Sequence, residues 1–154
     1  DLGVSYEKVE ALLKKAGYPG MKVLQFGFDG GSDNVMLPHN ITENYVVYGG
    51  THDNETLVGY FCDDNKSIES LRYAVEYLDC ETIDNIPNAI IRTGFMSCAH
   101  TVIYQLQDYL GLDNSARMNF PSKLGGNWEW RATKAQMSDK LAAKVARLVE
   151  MYGR

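Results

Sequence analysis

Apolar residues recur along this chain with two different periods, and the changes of period mark its elements. Tyr6, Val9, Leu12, Leu13 and Ala16 fall on one face at helical spacing. Ser5 is placed to cap that helix, Glu7 sits in its first turn, and Gly17, Pro19 and Gly20 end it. From Met21 to Phe28 the chain is almost continuously apolar, which fits a strand covered on both faces in a parallel sheet. A polar loop over 29–44 leads to Tyr45-Val46-Val47-Tyr48, a second buried strand closed by Gly49-Gly50, with a helix starting near Glu55. Ile68, Leu71, Val75 and Leu78 mark a further amphipathic helix. Pro87 suits the first turn of one running roughly from Asn88 to Ala99. Thr101 to Leu106 reads as a third strand, although Tyr104 to Leu112 also fits a helix. The stretch from Gly111 to Gln136 is irregular. Ser138 then caps a last helix whose stripe is Leu141, Val145, Leu148, Val149 and Tyr152.

Strand and helix thus alternate, with connections long enough for parallel pairing, so the fold class is α/β with parallel strands joined by crossover helices. Polar clusters follow the strand ends, where such folds place their chemistry. A closed (β/α)8 barrel takes about 250 residues. With 154 residues and three or four visible strands, this chain holds roughly half of one.

Composition narrows the partners. Hydrophobic residues make up 45% and charged residues 23%, which excludes a disordered chain. The net charge of -5 disfavours nucleic acid, whose phosphates need a concentrated positive field. Cys62, Cys80 and Cys98 are odd in number and form no CxxC, so half-buried reduced thiols of a cytoplasmic protein are expected rather than disulfides or a thiolate metal site. No apolar run is long enough to span a bilayer, and no signal-peptide pattern opens the chain, so no membrane partner is expected.

Three clusters carry candidate chemistry. Thr51-His52-Asp53-Asn54 follows a buried strand and two glycines. It reads either as a polar pocket for ligand hydroxyls and developing positive charge, or as a turn and helix cap with Asp53 or Asn54 accepting backbone N–H bonds, and spacing alone favours the cap. His39-Asn40 is a loop pair with local hydrogen bonds on its own evidence. His100 follows a helix, where it serves as a C-terminal cation or a partly buried donor. Asn127-Trp128-Glu129-Trp130-Arg131 offers aromatic faces for sugar stacking, or else pins a long loop to the body. Neither His39 with His52 and Asp53 nor any other spacing makes a metal site, and no phosphate-binding glycine motif or nucleophile elbow is present.

Taken together and in order, several stretches resemble the 4-alpha-glucanotransferases, the amylomaltase or disproportionating-enzyme family. They are Met21 to Phe26, Leu37-Pro38-His39-Asn40, Val46 to Asn54, Leu106-Gln107-Asp108, Arg117-Met118-Asn119 and Gly126-Asn127-Trp128 through Trp130-Arg131. The resemblance implies a (β/α)8 TIM barrel of the alpha-amylase clan with three catalytic carboxylates: a nucleophile Asp, an acid/base Glu, and an Asp that grips the donor sugar. By that match Asp53 is the third carboxylate and His52 its hydroxyl-binding neighbour. Asn119 matches an active-site asparagine, His39 and Asn40 line the cleft, and Asn54 and Trp128 are supporting substrate-site positions. Ile41 and Ser122 depart from the family's frequent Tyr and Gly.

The implied reaction is a retaining transfer of alpha-1,4-glucan segments between maltooligosaccharides, as in starch, glycogen or maltodextrin metabolism, without metal or organic cofactor. In the family the acid/base Glu directly precedes an Asp-Leu-Gly, and here Asp1-Leu2-Gly3 opens the chain. Residues 1–154 are therefore expected to be the C-terminal part of the catalytic barrel, about its last three strands. As a fragment it is expected to be inactive alone and to self-associate through open strand edges. The competing reading is a non-catalytic carbohydrate-binding module that stacks glucan on Trp128 and Trp130.

Overall fold

The computed structural model describes residues 6–62 and 66–154. The Ser5 cap and the Asp1-Leu2-Gly3 opening lie outside the described residues. Helix α1 (Tyr6–Ala16) carries Glu7 in its first turn and Lys14 and Lys15 in its last, both favourable to the helix dipole. Strand β1 (Gly20–Val23) follows and pairs in parallel with β2 (Tyr45–Tyr48), which pairs in parallel with β3 (Thr101–Ile103). The sheet order is β1-β2-β3. Between β2 and β3 run α2 (Leu57–Phe61), α3 (Ile68–Tyr77) and α4 (Ile86–Met96); α5 (Leu106–Leu110) and α6 (Asp139–Tyr152) follow β3.

Local chemistry explains the boundaries. The Thr56, Ser67 and Ser138 hydroxyls accept the orphan N–H groups that open α2, α3 and α6. Gly111 ends α5 in the left-handed region at φ 66°, which a side chain would resist. Pro87 lies in the first turn of α4, as its fixed φ favours. The Arg154 side chain reaches back to the carbonyls of Phe95, Ser97 and Ala99, satisfying groups at and beyond the end of α4.

Four expectations need correction. The apolar run Met21–Phe28 is not one strand: β1 stops at Val23 and Leu24–Phe26 forms a 3-10 turn, with the Gly27 N–H bonded to the Leu24 carbonyl. Nor is every crossover helical, since the β1–β2 connection contains only that turn and a second one over Pro38–Asn40. The third strand ends at Ile103, and Leu106–Leu110 is helix. Cys62 and Cys98 are exposed, and only Cys80 is half-buried.

The register sorts the strand side chains by face. Lys22, Val47 and Val102 align across the sheet on the helix-covered side, where Val47 is fully buried. Met21, Val46 and Thr101 align on the other side, as do Val23, Tyr48 and Ile103. There Met21 and Ile103 remain 37% and 44% exposed while Val23 is 4% exposed, so this face is only partly covered. The core lies on the first side. Phe28 meets Phe61 and Tyr77 edge-on at 5.8 and 5.7 Å, among Leu37, Leu57 and Ile90.

Candidate active site

The turn after β2 is built by its own polar residues. The Asn54 side-chain oxygen accepts from the Thr51 backbone N–H at 2.9 Å and from the Thr51 hydroxyl at 2.7 Å. The Asn54 N–H returns to the Thr51 carbonyl at 3.0 Å. Gln105, just after β3, donates to that same carbonyl at 3.1 Å. Asn54 thus holds the turn and Thr56 caps α2, so neither task falls to Asp53.

The Asp53 carboxylate instead faces a distant segment. The Asn119 side-chain amide donates to Asp53 Oδ1 at 2.6 Å, and His52 Nε2 lies 3.4 Å from the same oxygen. About half of each side chain in the His52–Asp53 pair is exposed. Trp128 stands beside His52 with ring centroids 5.0 Å apart, and its backbone N–H donates to the Met118 carbonyl at 2.7 Å. Trp128 holds φ 64°, an uncommon conformation for a bulky residue, in a loop where Asn127 accepts from the Phe120 N–H and donates to the Lys123 carbonyl. Next to this group an open cavity of about 350 Å³ lies over the ends of β2 and β3, lined by Tyr48, Gly50, Thr51, His52, Ile103 and Gln105.

The other sequence candidates make contacts of their own. Both ring nitrogens of His39 are engaged at 2.8 Å, by the Tyr77 hydroxyl and the Ser32 carbonyl. The Asn40 amide donates to the carbonyls of Ser32 and Asn34. These two residues brace the 29–40 loop rather than present free donors. His100 is exposed, and its backbone N–H bonds Glu43. Trp130 is half-buried while Trp128 is half-exposed, so the two do not form an evenly exposed stacking pair.

Two supporting residues escaped the sequence reading. Arg117 donates to the main-chain carbonyls of both Asp53 and Asn119. Asp108, on α5, accepts the Leu57 N–H at 2.8 Å and is buried. Burial raises the Asp108 carboxyl to about 6, against the opposing effect of backbone hydrogen bonds from Leu57 and Gln105. Both lie in stretches that carry the family resemblance, but no local pattern signals their tertiary bonds. Among the described residues, no group of three His, Cys, Asp or Glu side chains is arranged to hold a metal.

The family model described as 4-alpha-glucanotransferase matches residues 1–137. The chain belongs to this family. It is 44% identical over its whole length to a 4-alpha-glucanotransferase of Clostridium butyricum, of which it spans 31%. It is 45% identical to a chloroplastic/amyloplastic 4-alpha-glucanotransferase of Arabidopsis thaliana, of which it spans 27%. The solved amylomaltase of Streptococcus agalactiae in complex with acarbose superposes with a TM-score of 0.91 at 37% identity, covering the whole of this chain and 31% of that one. The chain therefore spans about a third of the length of these family members. No helix among the described residues is long and apolar enough to cross a membrane.

Proposed function

We propose that this chain is the C-terminal part of the (β/α)8 catalytic barrel of a retaining 4-alpha-glucanotransferase, working in the cytoplasm on alpha-1,4-glucans. Its three strands are three of that barrel's eight, and residues 1–154 belong to one domain. The Asp53 carboxylate carries the reading: it stands half-exposed after a strand end, oriented by Asn119 and beside His52. Among the described residues both of those contacts fall on Oδ1, and Oδ2 is the oxygen for a sugar hydroxyl.

In this reaction a nucleophilic carboxylate displaces the leaving glucan and forms a glycosyl-enzyme, while an acid protonates the departing oxygen. The hydroxyl of a second glucan then attacks the anomeric carbon, the acid/base group takes its proton, and the carboxylate leaves. Asp53 accepts hydrogen bonds from the donor ring's hydroxyls and offsets positive charge as the ring approaches the oxocarbenium state. His52 contributes a second group to those hydroxyls, and Trp128 offers a face for the sugar's C–H surface. His39 and Asn40 shape the loop along the cleft. Nucleophile and acid/base come from parts of the whole protein other than these 154 residues.

The test is incubation of the whole protein with maltotriose. Glucose together with longer maltooligosaccharides is expected, and acarbose is expected to inhibit their formation. Hydrolysis without longer products, or no turnover, overturns the reading.

A further inference from the structure

Arg117 touches neither functional side chain, yet it joins the two stretches of backbone that bring them together. Its Nη2 donates to the Asp53 main-chain carbonyl at 2.7 Å, and its Nε donates to the Asn119 main-chain carbonyl at 2.9 Å. Its guanidinium lies over the Phe120 ring, 4.6 Å from the centroid. Its backbone N–H closes the 3-10 turn over Asn114–Ala116 by bonding the Asn114 carbonyl at 3.2 Å. Among the described residues no carboxylate forms an ion pair with it. The guanidinium therefore spends these donors on two main-chain oxygens and not on a charge partner.

Those oxygens belong to the residues whose side chains meet at 2.6 Å. Asn119 sits in the long irregular stretch before α6, where no α-helix or strand fixes its distance from the β2 end. A planar fork with two donors at fixed separation supplies that constraint, and a single ammonium does not. We infer that Arg117 is a positioning residue of the transfer reaction, setting the separation of the Asp53 and Asn119 backbones and thereby holding the Asn119 amide on the Asp53 carboxylate. This rests on the transferase reading above.

The experiment is maltotriose kinetics in the whole protein, comparing wild type with Arg117→Ala, Arg117→Lys, Asn119→Ala and the Arg117→Ala/Asn119→Ala pair. A displacement near 1 Å at a reacting group costs about 100-fold, so kcat of Arg117→Ala is expected to fall by about that factor. KM is expected to stay within about threefold, because the contact acts on the reacting geometry more than on ground-state binding. Arg117→Lys falls between the two, and the double variant is no slower than the slower single one, since both act through one contact. Thermal melting is followed alongside. If Arg117→Ala does not fold, Arg117→Lys and its pair with Asn119→Ala carry the same comparison. Wild-type kcat in Arg117→Lys, or losses that multiply in the double variant, overturn the assignment. A wild-type protein that forms no transfer products overturns the transferase reading itself, and this inference with it.

Discussion

The Asn119 amide reaches the Asp53 carboxylate at 2.6 Å although the two residues are 66 positions apart. A hydrogen bond to an ionised acceptor is stronger than a neutral one and restricts rotation of the carboxylate. Removing a single preorganised donor from a site of developing charge costs about 100- to 1000-fold in kcat. Asn119→Ala is expected at the lower end, because Asp53 keeps its charge and His52 remains at 3.4 Å. Asp53→Asn loses the charge itself and is expected to be slower still. Glucose release from maltotriose ranks the two. An Asn119→Ala variant slower than Asp53→Asn would place the essential group on the asparagine instead.

Trp128 supplies the second expectation. Its indole sits 5.0 Å from the His52 ring and half of the residue is exposed, while its backbone occupies φ 64°. Glycine adopts that backbone freely, so Trp128→Gly removes the ring without disturbing the turn. Maltooligosaccharide affinity is expected to drop about tenfold, the scale of a single aromatic contact. Trp130→Phe, at a half-buried position, is expected to leave affinity near wild type. Calorimetric titration of both variants reads the difference. Equal losses at the two positions would restore the two-tryptophan binding-module reading.

A third expectation concerns Asp108. Asp108 is 2% exposed, and burial raises its carboxyl to about 6 from an ordinary 3.8. The folded state therefore holds this proton more tightly than the unfolded chain does. Its favourable linkage contribution is complete below about pH 3.8 and is lost as pH rises through about 6, a change of about 3 kcal/mol. Asp108→Asn keeps an oxygen for the Leu57 N–H and has no charge to bury. Relative to wild type, it is expected to gain stability as pH rises from 4 to 7. Asp108→Ala orphans the Leu57 N–H and is expected to lose about 1–3 kcal/mol at low pH. Denaturant melts of all three at pH 4 and pH 7 check the sign. A wild-type-minus-Asn difference that does not change with pH overturns it.

How much of this was legible in the sequence depends on how local each cause is. The cap at Ser138, the Pro87 turn and the β2 apolar run are written within a few residues, and the helices and strand they mark lie close to where the pattern puts them. The Met21–Phe28 run misled because apolar continuity does not distinguish a strand from a buried 3-10 turn, and the Gly27–Leu24 bond ends β1 early. The T-H-D-N cluster was ambiguous for a similar reason: nothing local says which of its polar residues holds the turn, and only tertiary contact shows that Asn54 does so while Asp53 faces Asn119. Family resemblance favours the site reading of Asp53, whereas spacing alone favours the cap. It also grouped His39 and Asn40 with the site, where the structure gives them loop-bracing bonds. Arg117 and Asp108 act through backbone groups far away in sequence, and no periodicity records such bonds.

The partly exposed face of the sheet yields the last expectation, in two settings of opposite sign. Met21 and Ile103 project from it with 37% and 44% exposure, and β1 and β3 are its edges. In the isolated 154-residue chain, apolar side chains and unpaired edge groups favour association with another copy. Among the described residues the Asp53 cluster there also holds a single carboxylate, whereas retaining transfer needs a nucleophile and an acid about 5 Å apart, so no maltotriose turnover is expected. The Met21→Ser/Ile103→Thr variant of this chain is expected to shift light scattering from oligomer toward monomer. In the whole protein the rest of the barrel would cover the same face, and trimming buried Met or Ile side chains costs about 2–5 kcal/mol. The same pair of substitutions is expected to lower the melting temperature there. An isolated chain that scatters as a stable compact monomer, or a whole protein indifferent to the substitutions, would mean that this face is not the inner wall of a barrel.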